Sequence, residues 1–145
     1  MLLDALLATL HHLAVFGLVA MLIAELVLLD CVPTGQRLRL LARLDATYGA
    51  LALVVIVAGA LRLAFGAKGW AFYLHNPFFW MKLGAFALVG VLSVRPTRTV
   101  LRWRRQSTLP DALAVHALRP WLLAQLGLLA LMPLLAALMA RGLGH

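Results

Sequence analysis

Charge is scarce in this chain. Charged side chains make up 12% of its 145 residues and hydrophobic ones 64%, and the mean hydropathy is +0.97. A soluble domain is nearer half apolar. Here too little polar sequence exists to cover a soluble surface, and lipid is the solvent that fits. Cysteine is almost missing: Cys31 stands alone, so no intramolecular disulfide forms. The alternating apolar and polar strands of a membrane β-barrel are not seen. There is no H-E-x-x-H, no nucleophile motif and no phosphate loop, which removes zinc hydrolysis and the commonest hydrolase and nucleotidase chemistries. No internal repeat stands out. The N-terminus lacks the basic region of a cleavable signal, carrying Asp4 instead, and its apolar run is too long for one. The first segment is therefore expected to stay in the mature protein.

Long apolar runs are what the sequence does have. Four of them, roughly 5–29, 46–65, 78–94 and 121–140, each have the length needed to cross a hydrocarbon core of about 30 Å as a helix. The expected fold is all-α: a single domain, residues 1–145, forming an integral membrane four-helix bundle. Gly49, Gly59, Gly84, Gly90 and Gly127 are candidate close-contact points between helices, without a clean G-x-x-x-G. Asn76-Pro77 reads as a helix start, Asn capping and Pro filling the first helical position. His75, just before the cap, is a candidate for a staple-like contact with Trp80. "LPDALAVHALRP" reads as a short amphipathic helix with Asp111 near its start, its His116 solvated, and Pro133 is expected to kink the last segment.

The formal net charge of +8 is mainly a signal of orientation. Arg37, Arg39, Arg43, Arg95, Arg98, Arg102, Arg104, Arg105 and Arg119 fall in the two connections that share one side; Arg62, Lys68, Lys82 and Arg141 fall toward the other. Basic residues mark the cytoplasmic side, so both termini are expected on the periplasmic side of a bacterial inner (plasma) membrane. Arginines beside membrane spans are explained by anionic headgroups, and no nucleic acid partner is expected. An aromatic band, Trp70, Phe72, Tyr73, Phe78, Phe79 and Trp80, suits the outer interface.

Ionisable groups inside spans are costly and mark candidate sites. His11 and His12 lie roughly 10 Å inside the outer end of the first span. Arg62 sits near the outer end of the second, Lys82 in the first turns of the third, and Lys68 and His75 in the outer connection. Lys82 opposes the helix dipole there, which calls for an anionic partner; Asp4 is the only outer carboxylate. Glu25 shares a helix face with His11 but lies near the cytoplasmic end, with Arg37 or Arg43 as expected partners. Imidazole is the commonest ligand for haem iron and also suits copper. Haem b fits this set: His11 or His12 as axial ligand, His75 or the other histidine as a second, and Arg62, Lys68 and Lys82 for the propionates. A copper-binding or transport component, and a cofactor-free protein whose polar cluster only fixes packing, remain as alternatives. No catalytic motif defines an enzyme. A homodimer is expected, as small membrane bundles often complete their packing that way.

The runs "LLDALLATLHHLAVFGLVAMLIAELVLL", "RLARLDATYG" and "FGAKGWAFYLHNPFFWMKLGAFALVGVLSVRPTR" resemble a family of four-helix bacterial inner-membrane proteins of unassigned function, over nearly the whole chain. More distantly, the chain is similar to the HemJ-type protoporphyrinogen oxidases and the copper-resistance D family. Their helix-1 histidine matches His11 or His12, and the HemJ-type helix-3 lysine after an aromatic residue matches Lys82 in "FFWMK". That resemblance implies haem b on the histidine. The Leu-Pro-Arg run that follows helix 1 in the oxidases is replaced here by "MLIAELVLLD".

The charge asymmetry predicts that a C-terminal alkaline phosphatase fusion is active and a C-terminal green fluorescent protein fusion is dark in a bacterial host. The opposite pattern overturns the orientation.

Overall fold

The computed structural model describes residues 2–31, 33–65, 69–106 and 109–141. Its helices are α1 (Leu2–Leu29), α2 (Gly35–Phe65), α3 (Gly69–Leu74), α4 (Pro77–Arg105), α5 (Ala112–His116) and α6 (Arg119–Ala140). No strand occurs among the described residues. Four helices, α1, α2, α4 and the stretch ending in α6, are long and apolar enough to span a membrane. The helices outrun the apolar stretches. α2 begins at Gly35, eleven residues before its apolar run, because "GQRLRLLARLD" contains no breaker after Gly35 and favours helix throughout. α4 continues through Pro96 to Arg105 rather than ending at Val94.

Each spanning helix hides a narrow stripe. The buried positions of α1 are Leu7, Ala14, Leu18, Leu22, Glu25 and Leu29; those of α6 are Leu122, Gln125, Leu129, Met132 and Leu135. Steps of three and four residues place these on one face. The opposite faces show Leu13, Phe16, Ile23 and Val27 on α1 and Leu53 and Ile56 on α2, large apolar side chains fully suited to lipid.

The bundle is two helical hairpins laid together. α1 packs most extensively on α2, and α4 on α6; the contacts of α2 with α4 and of α1 with α6 are thinner. α1 and α2 come closest at two glycines. A Cβ on Gly17 would lie 2.9 Å from a Leu51 methyl, and one on Gly59 would lie 3.4 Å from the His11 ring. Gly49, Gly84, Gly90 and Gly127 are not contact points: a Cβ there would meet nothing within 4 Å. In the second hairpin the Arg95 guanidinium lies 4.7 Å from the Trp121 ring centroid, a cation–π contact.

Three polar contacts tie the hairpins together. Thr97 Oγ1 donates to Asp45 Oδ1 at 2.7 Å, and Tyr48 OH donates to Gln125 Oε1 at 3.0 Å. Near the helix ends, Arg119 pairs with Asp30. The connections behave as the turn chemistry dictates. Asn76 Oδ1 accepts from the Phe78 N–H at 2.9 Å, and Asp111 Oδ1 accepts from the Ala114 N–H at 2.7 Å. Trp80 does not staple onto His75. Its indole donates to Leu74 O at 2.9 Å and its ring packs edge-on against Phe79.

Tyr48→Phe removes one of these ties and strands the Gln125 carbonyl. Interhelical hydrogen bonds in lipid average roughly 0.6 kcal/mol, and an orphaned buried acceptor adds to that. A loss of about 1 kcal/mol is expected in a reversible denaturant titration in mixed micelles.

Candidate functional site

The antiparallel order of α1, α2 and α4 gathers His11, Arg62, Lys82 and Asp4 at one end of the bundle. His11 occupies the buried stripe of α1, four residues after Leu7 and three before Ala14. Its Nδ1 lies 3.1 Å from Val55 O, on α2. A carbonyl oxygen can only accept, so the neutral ring carries its proton on Nδ1, and Nε2 keeps a free lone pair. A histidine that ligates a metal characteristically donates its other ring N–H in this way. Gly59 makes room for the ring.

The two cations stand close to it. Both Lys82, from α4, and Arg62, from α2, lie within electrostatic range of His11, and they repel one another. Arg62 Nε is 4.0 Å from Asp4 Oδ1, an ion pair too long for a hydrogen bond, and Nε is buried without a hydrogen-bond partner. Asp4 thus faces Arg62, not Lys82. Two basic side chains set against one carboxylate give this end an excess of basic groups.

The other candidate ligands do not converge on His11. His12 is exposed, its Nδ1 2.6 Å from Ala8 O of its own helix, and its ring meets His11 edge-on with centroids 5.9 Å apart. Adjacent helical residues point about 100° apart, so only one of the pair can occupy the stripe. His75 is also exposed, its Nδ1 2.8 Å from Ala71 O. Lys68 lies outside the described residues. Among the described residues no group of three His, Cys, Asp or Glu side chains is placed to hold a metal ion.

A second polar group occupies the opposite half of the bundle. Glu25 is 3% exposed and Asp45 7%, and the two act on each other electrostatically and on Tyr48. Glu25 does not pair with Arg37 or Arg43, which lie on the exposed side of α2. Gln125, 1% exposed, completes this layer with Tyr48 and Thr97. Asp45 and Thr97 escaped the sequence reading because the apolar runs begin at Ala46 and end at Val94, which left both looking like loop residues; Tyr48 and Gln125 escaped it because neither is ionisable at neutral pH. The signal was present in spacing: Leu41, Asp45, Tyr48 and Val55 fall on one stripe. Beyond this layer, a cleft of about 340 Å³ between α2 and α4 is lined by Arg39, Trp103 and Arg104 and holds none of the candidate ligands.

The fold and its buried polar layers define a multi-pass, four-helix membrane protein. The chain belongs to the predicted membrane protein family DUF2214, which it matches over residues 3–144. No curated protein and no solved structure matches it.

Gly59 sets the room available to His11. Gly59→Ala should be nearly neutral, because its Cβ meets the ring at a tight but tolerable 3.4 Å. Gly59→Val should cost about 1–3 kcal/mol, as overpacking does, and His12→Ala should leave stability unchanged. Thermal unfolding of the three variants in one detergent checks the order.

Proposed function

We propose that this membrane protein holds haem b at the end of the bundle that carries His11, Arg62 and Lys82. The observation that carries the proposal is the His11 ring, locked to Val55 O through Nδ1 with the Nε2 lone pair left free, beside two cations of which only Arg62 has a carboxylate, held weakly at 4.0 Å. Cations in a low-dielectric setting need anions, and a porphyrin brings two carboxylates. A porphyrin also supplies four ligands to its own iron, so one imidazole is enough to anchor it. Bare copper would need several soft or imidazole ligands from the chain, and such a group is not found among the described residues.

In this reading His11 would hold the haem iron, and Arg62 and Lys82 would hold its two carboxylates. His12 and His75 are bonded to their own helices, which leaves His11 as the residue that would hold the iron. Bound haem supplies one-electron chemistry. The chain's part is to fix the imidazole tautomer, exclude lipid tails from the iron and set the charge around the carboxylates.

The protein expressed with haem supply and purified in mild detergent should show a Soret band and a pyridine haemochrome of b type. His11→Ala should abolish the band, His11→Gly with added imidazole should restore it, and His12→Ala should keep it. A colourless, folded wild-type protein overturns the proposal. So does a band that survives His11→Ala and disappears with His12→Ala.

A further inference from the structure

The Glu25–Asp45 layer stands apart from the His11 end and has its own unsolved charge problem. Its donors are spent or absent. The Thr97 hydroxyl goes to Asp45, the Tyr48 hydroxyl to Gln125, and the Gln125 amide donates to Trp121 O at 3.1 Å. Glu25 Oε1 is buried with no hydrogen-bond partner. Among the described residues, the groups that face the pair from each helix are Glu25 on α1, Asp45 and Tyr48 on α2, Thr97 on α4 and Gln125 on α6, and none of these is a Lys, Arg or His. Two bare carboxylates in a lipid-embedded core with no facing cation are prohibitively costly, and a bound positive charge resolves this.

We propose that Glu25 and Asp45 form a proton-binding site inside the membrane bundle, occupied by one proton at neutral pH and exchanging with the arginine-rich side. A proton is favoured over a metal ion on ligand count. Hard cations take about six oxygens or more, and the layer offers two carboxylates among groups already committed to each other. A proton needs one carboxylate oxygen, and Glu25 Oε1 is the one without any other partner. The side of exchange follows from position. Glu25 lies four residues before the end of α1 at Leu29, about 6 Å along the axis, whereas the opposite end of that helix is several times farther. The site is independent of haem. It also gives the bundle a charge-sensitive joint, since Asp45 accepts the Thr97 hydrogen bond that ties one hairpin to the other.

The test is infrared spectroscopy of the protein in lipid nanodiscs, with pH varied. At neutral pH the wild-type protein should show a protonated carboxylic acid carbonyl band that shifts in D2O. Glu25→Gln, an uncharged isostere of the protonated acid, should fold and lose the band. Thermal stability of the wild-type protein should fall as pH rises and should be the same in sodium, potassium and choline chloride; Glu25→Gln should lose that alkaline fall. The proposal is overturned by a folded wild-type protein without the band at neutral pH, by a band of full strength in Glu25→Gln, or by stabilisation specific to one metal cation. If Glu25→Gln does not fold, the wild-type band and the salt series still decide.

Discussion

Lipid accepts no hydrogen bonds, and each spanning helix of this protein has only one narrow stripe on which to hide a polar atom. The placement of nearly every functional candidate follows from that. His11, Glu25, Asp45, Tyr48 and Gln125 all take positions in three- and four-residue steps with buried apolar neighbours. His12, one residue off the stripe, bonds back to its own helix and stays exposed. A one-residue offset therefore separates a side chain held between two helices from one left at the surface.

The stripes meet in two polar layers of opposite character. The layer at Asp45 joins the hairpins with directional hydrogen bonds from α4 to α2 and from α2 to α6. The layer at His11 is built inside the first hairpin, and the second contributes Lys82, a cation set against Arg62. The contacts between hairpins are thin throughout, so these layers weigh heavily in how the halves sit. At one end polar groups pull the hairpins together. At the other like charges push them apart, and an anion between them would reverse the sign.

The spans and their apolar character were legible in the sequence, because lipid as solvent leaves a compositional mark that depends on no tertiary detail. The convergence of His11, Arg62 and Lys82 was legible too, as antiparallel connectivity forces it. Which histidine faces inward was not. His11 and His12 have the same chemistry and neighbours in sequence, and only the contact with Val55 O and Gly59 separates them. Glu25 was visible as an anomaly, but its neighbours were misassigned. A nearby arginine is the simplest partner in sequence, whereas the stripe turns Glu25 toward Asp45 and turns Arg37 and Arg43 outward. The contact glycines were equally hidden: of the five candidates only Gly59 meets a neighbouring helix, and Gly17, which also does, was not among them.

Pro96 has a mechanical consequence. It is buried inside α4, one residue before Thr97. Proline donates no N–H and crowds the carbonyl four residues earlier, so the backbone ladder of α4 is interrupted there. An interrupted ladder is where a helix bends most easily. The segment beyond it carries Arg98, Arg102, Arg104 and Arg105, and on its near edge Thr97 is tied to Asp45 by a hydrogen bond. α4 is thus a rod with a built-in elbow, and the Thr97 hydroxyl resting on the buried Asp45 carboxylate latches it.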